Sequence, residues 1–326
     1  MRPTLQAALE RHQVWLYLAA IGLGLVVAAR WPAMQAPFEA ALWPVLALLL
    51  YATFAQIPLL HVREAFADGR FMAANLLGHF VAIPLALALA LPLFPAIAAD
   101  PALRLGVVLV LVVPCTDWFI TFTALGRGDP ARALAVTPLN LVLQLLLLPV
   151  YLWLLVPEGD LGRAFSLAAL MPPALALIGL PLVAAALTER WIEAAPARSL
   201  WRERLALWPV PLLAGVVFLI AGAQAAAVRD AGPVLVAATP LFAGFLIASL
   251  ALAITLARAF RLGEAAGRTL AFGFGTRNSF VVLPLVLALP AGWEATVVVI
   301  VYQSLVELLG MVLWLGLVPR LRFARR

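Results

Sequence analysis

Residues 112–117 read VVPCTD and residues 275–279 read GTRNS, and each stretch interrupts a long apolar run. Pro114 has no amide proton to donate and its ring clashes with the turn before it, while Gly273 and Gly275 weaken the second run. In a lipid bilayer the backbone groups released by such breaks cannot face hydrocarbon, so they must be buried against protein or line a polar cavity. The two stretches thus separate a bundle of plain spanning helices from a protein built around two interrupted ones.

The surrounding chain is membrane-like: 65% of its 326 residues are hydrophobic, 12% are charged and the mean hydropathy is +1.06. About 20 apolar residues cross ~30 Å of hydrocarbon as a helix. Ten such spans are expected, near residues 12–30, 38–60, 71–95, 104–125, 133–156, 166–188, 205–226, 233–257, 268–290 and 294–319. The first run lacks a small-residue cleavage site and reads as a retained helix. Little sequence remains for a soluble domain, so a single transmembrane domain over 1–326 is expected.

All 22 basic residues are arginine, and their placement carries more information than the net charge of +6. With ten spans, seventeen arginines fall on the side that holds both termini; Arg30, Arg104, Arg163 and Arg229 fall on the other, and Arg277 lies inside a span. The positive-inside rule then places both termini in the cytoplasm, in a plasma (inner) membrane protein. The basic excess reports topology and contact with the lipid bilayer, and no nucleic-acid partner is expected. The segment ERWIEAAPARSLWRER at 189–204 reads as an interfacial linker, with Trp191 and Trp201 at headgroup depth.

Helices one to five and six to ten form two halves, approximately 1–160 and 161–326. Each half has an odd number of spans, so the second must be inverted relative to the first. The two breaks fall at corresponding places, in the fourth and ninth helices, followed by WFITF and FVVLP. Paired interruptions of this kind point to the central site of a secondary transporter.

Few ionisable residues lie within the spans, and each is costly there and a candidate for function: Asp117, Arg277 and Glu307, with His79 as a titratable fourth. Asp117 and Arg277, one on each interrupted helix, pair to lower their burial cost or serve the site directly. Glu307, in VYQSLVELLGMVLW, has no basic residue within a turn; it is either a protonated glutamate bonded to a neighbouring helix or a carboxyl whose burial lets it load and release a proton. Cys115, the single cysteine, excludes an internal disulfide and any multi-cysteine metal centre, and no cofactor is expected. It is either a small apolar residue or, at a break beside Thr116 and Asp117, a soft ligand. Asn140 and Gln144 stand one turn apart on one helix face, as interhelical glue or as cavity lining, and Asn75 and His79 share the same spacing, with His79 read as a packing histidine.

Three stretches, VPCTDWFITFTALGRGDP at 113–130, GTRNSF at 275–280 and LVELLG at 305–310, make the chain resemble the bile acid:sodium symporter superfamily over nearly its whole length, and within it the arsenite efflux permeases. The resemblance implies an all-α fold in which interrupted helices four and nine cross in a core of helices three to five and eight to ten, beside a four-helix panel. It implies that Cys115 binds the metalloid and that Glu307 is essential for transport; Thr116, Arg277 and Asn278, at the two breaks, are expected at the substrate, and Asp117 is expected to share the proton coupling. The substrate would be arsenite, and antimonite with it, whose soft centre exchanges a hydroxide for the thiolate. Sodium-coupled relatives hold a glutamate two residues before the glycine of a G-x-Q-N stretch; here Gly273 replaces the carboxylate and Arg277 the glutamine, which implies coupling to protons. The TDWFITF segment also carries an aspartate that the commonest arsenite permeases lack.

The alternative is an organic-anion or bile-acid-type symporter with an inert cysteine, in which Arg277 meets a carboxylate or sulfonate. A receptor would need a larger cytoplasmic segment than the sequence offers. An enzyme would need a metal triad or a nucleophile–base pair, and neither is legible.

Overall fold

The computed structural model describes residues 5–57, 68–116, 118–157, 159, 167–223, 225 and 232–323. Along the chain these form helices α1 (Leu5–Arg30), α2 (Gln35–Phe54), α3 (Gly69–Leu77), α4 (Ile83–Ala90), α5 (Pro95–Ala99), α6 (Pro101–Val112), α7 (Trp118–Leu125), α8 (Pro130–Leu155), α9 (Leu167–Glu193), α10 (Ser199–Leu205), α11 (Pro209–Ala223), α12 (Gly232–Ala259), α13 (Glu264–Gly275), α14 (Ser279–Leu287) and α15 (Glu294–Leu317). Among the described residues there is no β-strand beyond one isolated antiparallel bridge between Pro114 and Arg277. Among the described residues, six helical segments are long and apolar enough to cross a membrane: Pro32–Phe54, Gly69–Leu93, Pro130–Leu155, Pro196–Ala223, Leu235–Ala259 and Glu294–Arg320. α6 is a shorter apolar helix, because the chain breaks after Val112. Asp117 and the ends of the expected second, sixth and seventh spans, at 58–60, 166 and 226, lie outside the described residues.

The chain alternates between two compact units, residues 1–60 with 169–232 and residues 61–168 with 233–326. In the first, α11 packs against α1 and α2. Two glycines permit the approach: a Cβ on Gly24 would stand 2.4 Å from the Phe218 carbonyl oxygen, and one on Gly222 would meet the Phe38 ring. Phe38 and Phe218 close the contact edge to face at 5.2 Å.

The second unit contains two successive triplets of helical segments, and in each triplet the middle segment is broken. α6 starts where Asp100 accepts the Ala102 and Leu103 amides at 2.9 and 3.1 Å, with Pro101 in the first turn where its missing N–H costs nothing. It stops because Val113 precedes a proline and is pushed to an extended conformation, φ −103° and ψ 108°. α13 ends likewise on an extended Thr276, and α14 restarts from Asn278, whose side chain accepts the Val281 amide at 3.3 Å. α6 packs on α15, with Gly106 against Val299 and the Thr296 backbone, and the Thr296 hydroxyl donates to Ala102 O at 2.8 Å.

The span expected as unbroken at 71–95 contains a π turn, Gly78–Ala82, between α3 and α4. Pro84 removes the amide that would have bonded the Phe80 carbonyl, and the Tyr151 hydroxyl donates to that oxygen instead, at 2.8 Å. The π turn carries His79 into the centre of the second unit, where it is 2% exposed.

Candidate functional site

The site is a crossing of two helix breaks, and its structure follows from asking where the released backbone groups go. In a continuous α6 the Cys115 amide would bond Leu111 O; it bonds Thr276 O at 3.3 Å. In a continuous α13 the Asn278 amide would bond Phe274 O; it bonds Val113 O at 2.9 Å. These two bonds make the Pro114–Arg277 bridge. The Arg277 amide, which would have bonded Gly273 O, donates to Glu307 Oε2 at 2.8 Å.

Three carbonyls, Leu111, Gly273 and Phe274, thereby lose their helical amides, and one side chain bonds all of them, with the Thr276 hydroxyl also 3.4 Å from Gly273 O. The Arg277 guanidinium donates to Leu111 O at 3.2 Å, Gly273 O at 3.2 Å and Phe274 O at 2.8 Å. It also lies 3.3 Å from His79 Nδ1 and 5.3 Å from the Phe245 ring centre. A guanidinium only donates, so Nδ1 accepts and the neutral His79 carries its proton on Nε2. Arg277 is 0% exposed, a cation at the negative ends of two half-helices.

Cys115 and Thr116, at the first break, are buried, as are Asn278 and Ser279 at the second. Asn278 Nδ2 donates to the Thr116 hydroxyl at 2.8 Å while its Oδ1 caps α14, so one amide fixes both breaks. Glu307 has no basic residue within a turn along the sequence, and it bonds neutral groups: besides the Arg277 amide, its Oε2 accepts from Gln303 Nε2 at 2.8 Å. Gln303 and Ser304 continue the network to the Ser279 hydroxyl at 3.2 and 2.8 Å.

Cys115, Thr116, Arg277, Asn278 and Glu307 are thus brought together. Asn140 and Gln144 stand apart from them on α8. Asn140 accepts from Asn75 at 2.8 Å, on the helix that carries His79, whereas neither polar atom of the buried Gln144 has a hydrogen-bond partner among the described residues. Asp117, and with it the expected pairing to Arg277, lies outside the described residues. His79 is the buried packing histidine expected, set edge to face on Phe274, and the group that satisfies it is the Arg277 guanidinium, which joins it to the site. A mostly apolar cavity of about 450 Å³ lies beside the crossing, lined among others by Ala82, Ala86, Leu111, Phe245 and Ser249. Leu111 and Phe245 line it and also contact the enclosed guanidinium.

Two broken helices meeting inside an apolar helical unit are the arrangement of a secondary transporter of the membrane. Residues 43–230, more than half of the chain, match the Sodium Bile acid symporter family, and the chain belongs to that family of membrane transporters. The matched stretch contains the first break with Cys115; the second break and Glu307 lie beyond it. No curated protein matches the chain.

Proposed function

We propose that this protein exports arsenite, and antimonite with it, by proton antiport. One observation carries the reading: the residue bearing the thiol and the buried carboxyl attach to successive residues of the same break. The Cys115 amide holds Thr276 O, and Glu307 accepts the Arg277 amide. A change in the charge or bonding of Glu307 therefore acts on the backbone to which the Cys115 segment is bonded.

The chemistry follows from the donor. Arsenite at neutral pH is an uncharged trihydroxide with a soft centre; a thiolate displaces one hydroxide, which leaves as water when it takes up the thiol proton, and a sulfur–arsenic bond forms. The reverse exchange with water releases arsenite on the other side. Thr116 and Asn278, bonded to each other across the two breaks, are the polar side chains proposed to meet the remaining hydroxides, which requires them to exchange that bond for substrate. Glu307 takes up and releases the coupling proton, and Asp117 is assigned to the same role from its place in the sequence.

The same reading includes ten spans in two inverted halves, approximately 1–160 and 161–326, forming one transporter domain in the inner membrane with both termini cytoplasmic. The repeated triplet with a broken middle member supports it. The organic-anion alternative needs Arg277 to face substrate, and the fully buried guanidinium, whose two terminal nitrogens bond carbonyls, weighs against that.

The test is arsenite accumulation in cells stripped of their own efflux system. Expression of this chain should lower accumulation several-fold, and Cys115→Ser, which keeps the volume but not the soft donor, should return it to the level of empty cells at equal membrane abundance. Undiminished efflux in the serine variant would make Cys115 a packing residue.

A further inference from the structure

We infer that the Arg277 guanidinium is a tethered cation: it fills, through a covalent link, a carbonyl cage that the two breaks create and that would otherwise take a free monovalent cation. The partners of the guanidinium's two terminal nitrogens and the ring beside it all offer electron density, while Nε has no partner among the described residues. Leu111 O comes from the end of α6, and Gly273 O and Phe274 O come from the end of α13. His79 Nδ1 presents a ring lone pair, and Phe245 presents the face of its ring. The three carbonyls belong to the last turns of two helices, where the aligned peptide dipoles are negative, so the cage attracts positive charge before any side chain is considered.

Oxygen donors converging from carbonyls suit a hard cation, and the enclosure, with Arg277 at 0% exposure, leaves no room for a hydration shell. The occupant must therefore bring its charge dry and exchange hydration for carbonyls. A guanidinium is weakly hydrated and offers several donors in a plane, so one group can serve three oxygens from two helices. Because the charge is attached to the chain, it cannot dissociate at either face of the membrane. No gradient of an alkali cation can then be drawn upon through this cage, and the movement that carries the crossing must be driven through another group. The cage follows from geometry alone, while its bearing on coupling rests on the transport reading; the measurement below reads stability, so the two can fail separately.

The full chain is purified in choline chloride and its thermal unfolding followed as choline is replaced by lithium, sodium or potassium at constant ionic strength. The wild-type midpoint is expected to stay unchanged through the series. Arg277→Ala empties the cage, so its midpoint should fall in choline and recover by ~4 °C or more, saturably, with one of the alkali cations or with low-millimolar guanidinium chloride. Arg277→Lys, which restores a tethered charge, should remain insensitive to added cations. Arg277→Gln is the second emptied variant if the alanine form does not survive extraction. A wild-type midpoint that climbs with sodium or lithium overturns the inference. So does an emptied variant that responds to neither alkali cations nor guanidinium, and so does failure of both emptied variants to fold in every salt.

Discussion

Glu307 and Arg277 divide the repair of one break between them: the carboxyl takes the stranded amide and the guanidinium takes the stranded carbonyls. Structural and coupling roles of Glu307 can therefore be separated by two substitutions. Glutamine keeps an oxygen for the Arg277 amide, so Glu307→Gln should insert and unfold close to wild type while losing transport that depends on a proton gradient. Alanine leaves that amide buried without a partner, which costs about 1–3 kcal/mol, so Glu307→Ala should lose stability as well as transport. Thermal unfolding of both variants beside transport assays reads the split; equal stability losses in the two would mean that the bond to the backbone carries nothing. At this scale the sequence disclosed which residues were out of place in an apolar run, Cys115, Arg277, Asn278 and Glu307 among them. It did not disclose their partners, because Leu111, Gly273 and Phe274 take part through carbonyls, and a carbonyl leaves no mark in the identity of the residue.

Among the elements, the break after α6 was legible because Pro114 both ends the helix and forces Val113 into an extended conformation. The π turn at Gly78–Ala82 was not legible, since a helix with Pro84 continues only if something else takes the Phe80 carbonyl, and the group that does so, the Tyr151 hydroxyl, lies 71 residues away. That long-range bond ties the π turn itself to α8 and fixes the turn that presents His79 to Arg277. Tyr151→Phe removes the donor alone. It should lower stability by about 1–2 kcal/mol, read from chemical or thermal unfolding, and should slow transport more than that loss explains by loosening the approach of His79. An unfolding profile matching wild type would show that water or another donor replaces the hydroxyl at no cost.

In the molecule as a whole, hydropathy and the arginine distribution suffice for a multi-pass helical protein, and the family match places it among the sodium bile acid symporter transporters. Which chain segments fold together was harder to read, because each compact unit draws on both halves of the sequence, 1–60 with 169–232 and 61–168 with 233–326. Such alternation leaves no linker or composition shift to mark a boundary. It does gather both breaks and Glu307 into one unit. The central claim is that export of a thiophilic substrate is driven by protons through that crossing. The direct measurement is arsenite uptake into everted membrane vesicles energised by an imposed pH gradient, acid inside, with sodium present or absent. Uptake should follow the pH gradient, be indifferent to sodium, and vanish in both Cys115→Ser and Glu307→Gln. Uptake that requires a sodium gradient, or that persists unchanged in Glu307→Gln, would contradict it.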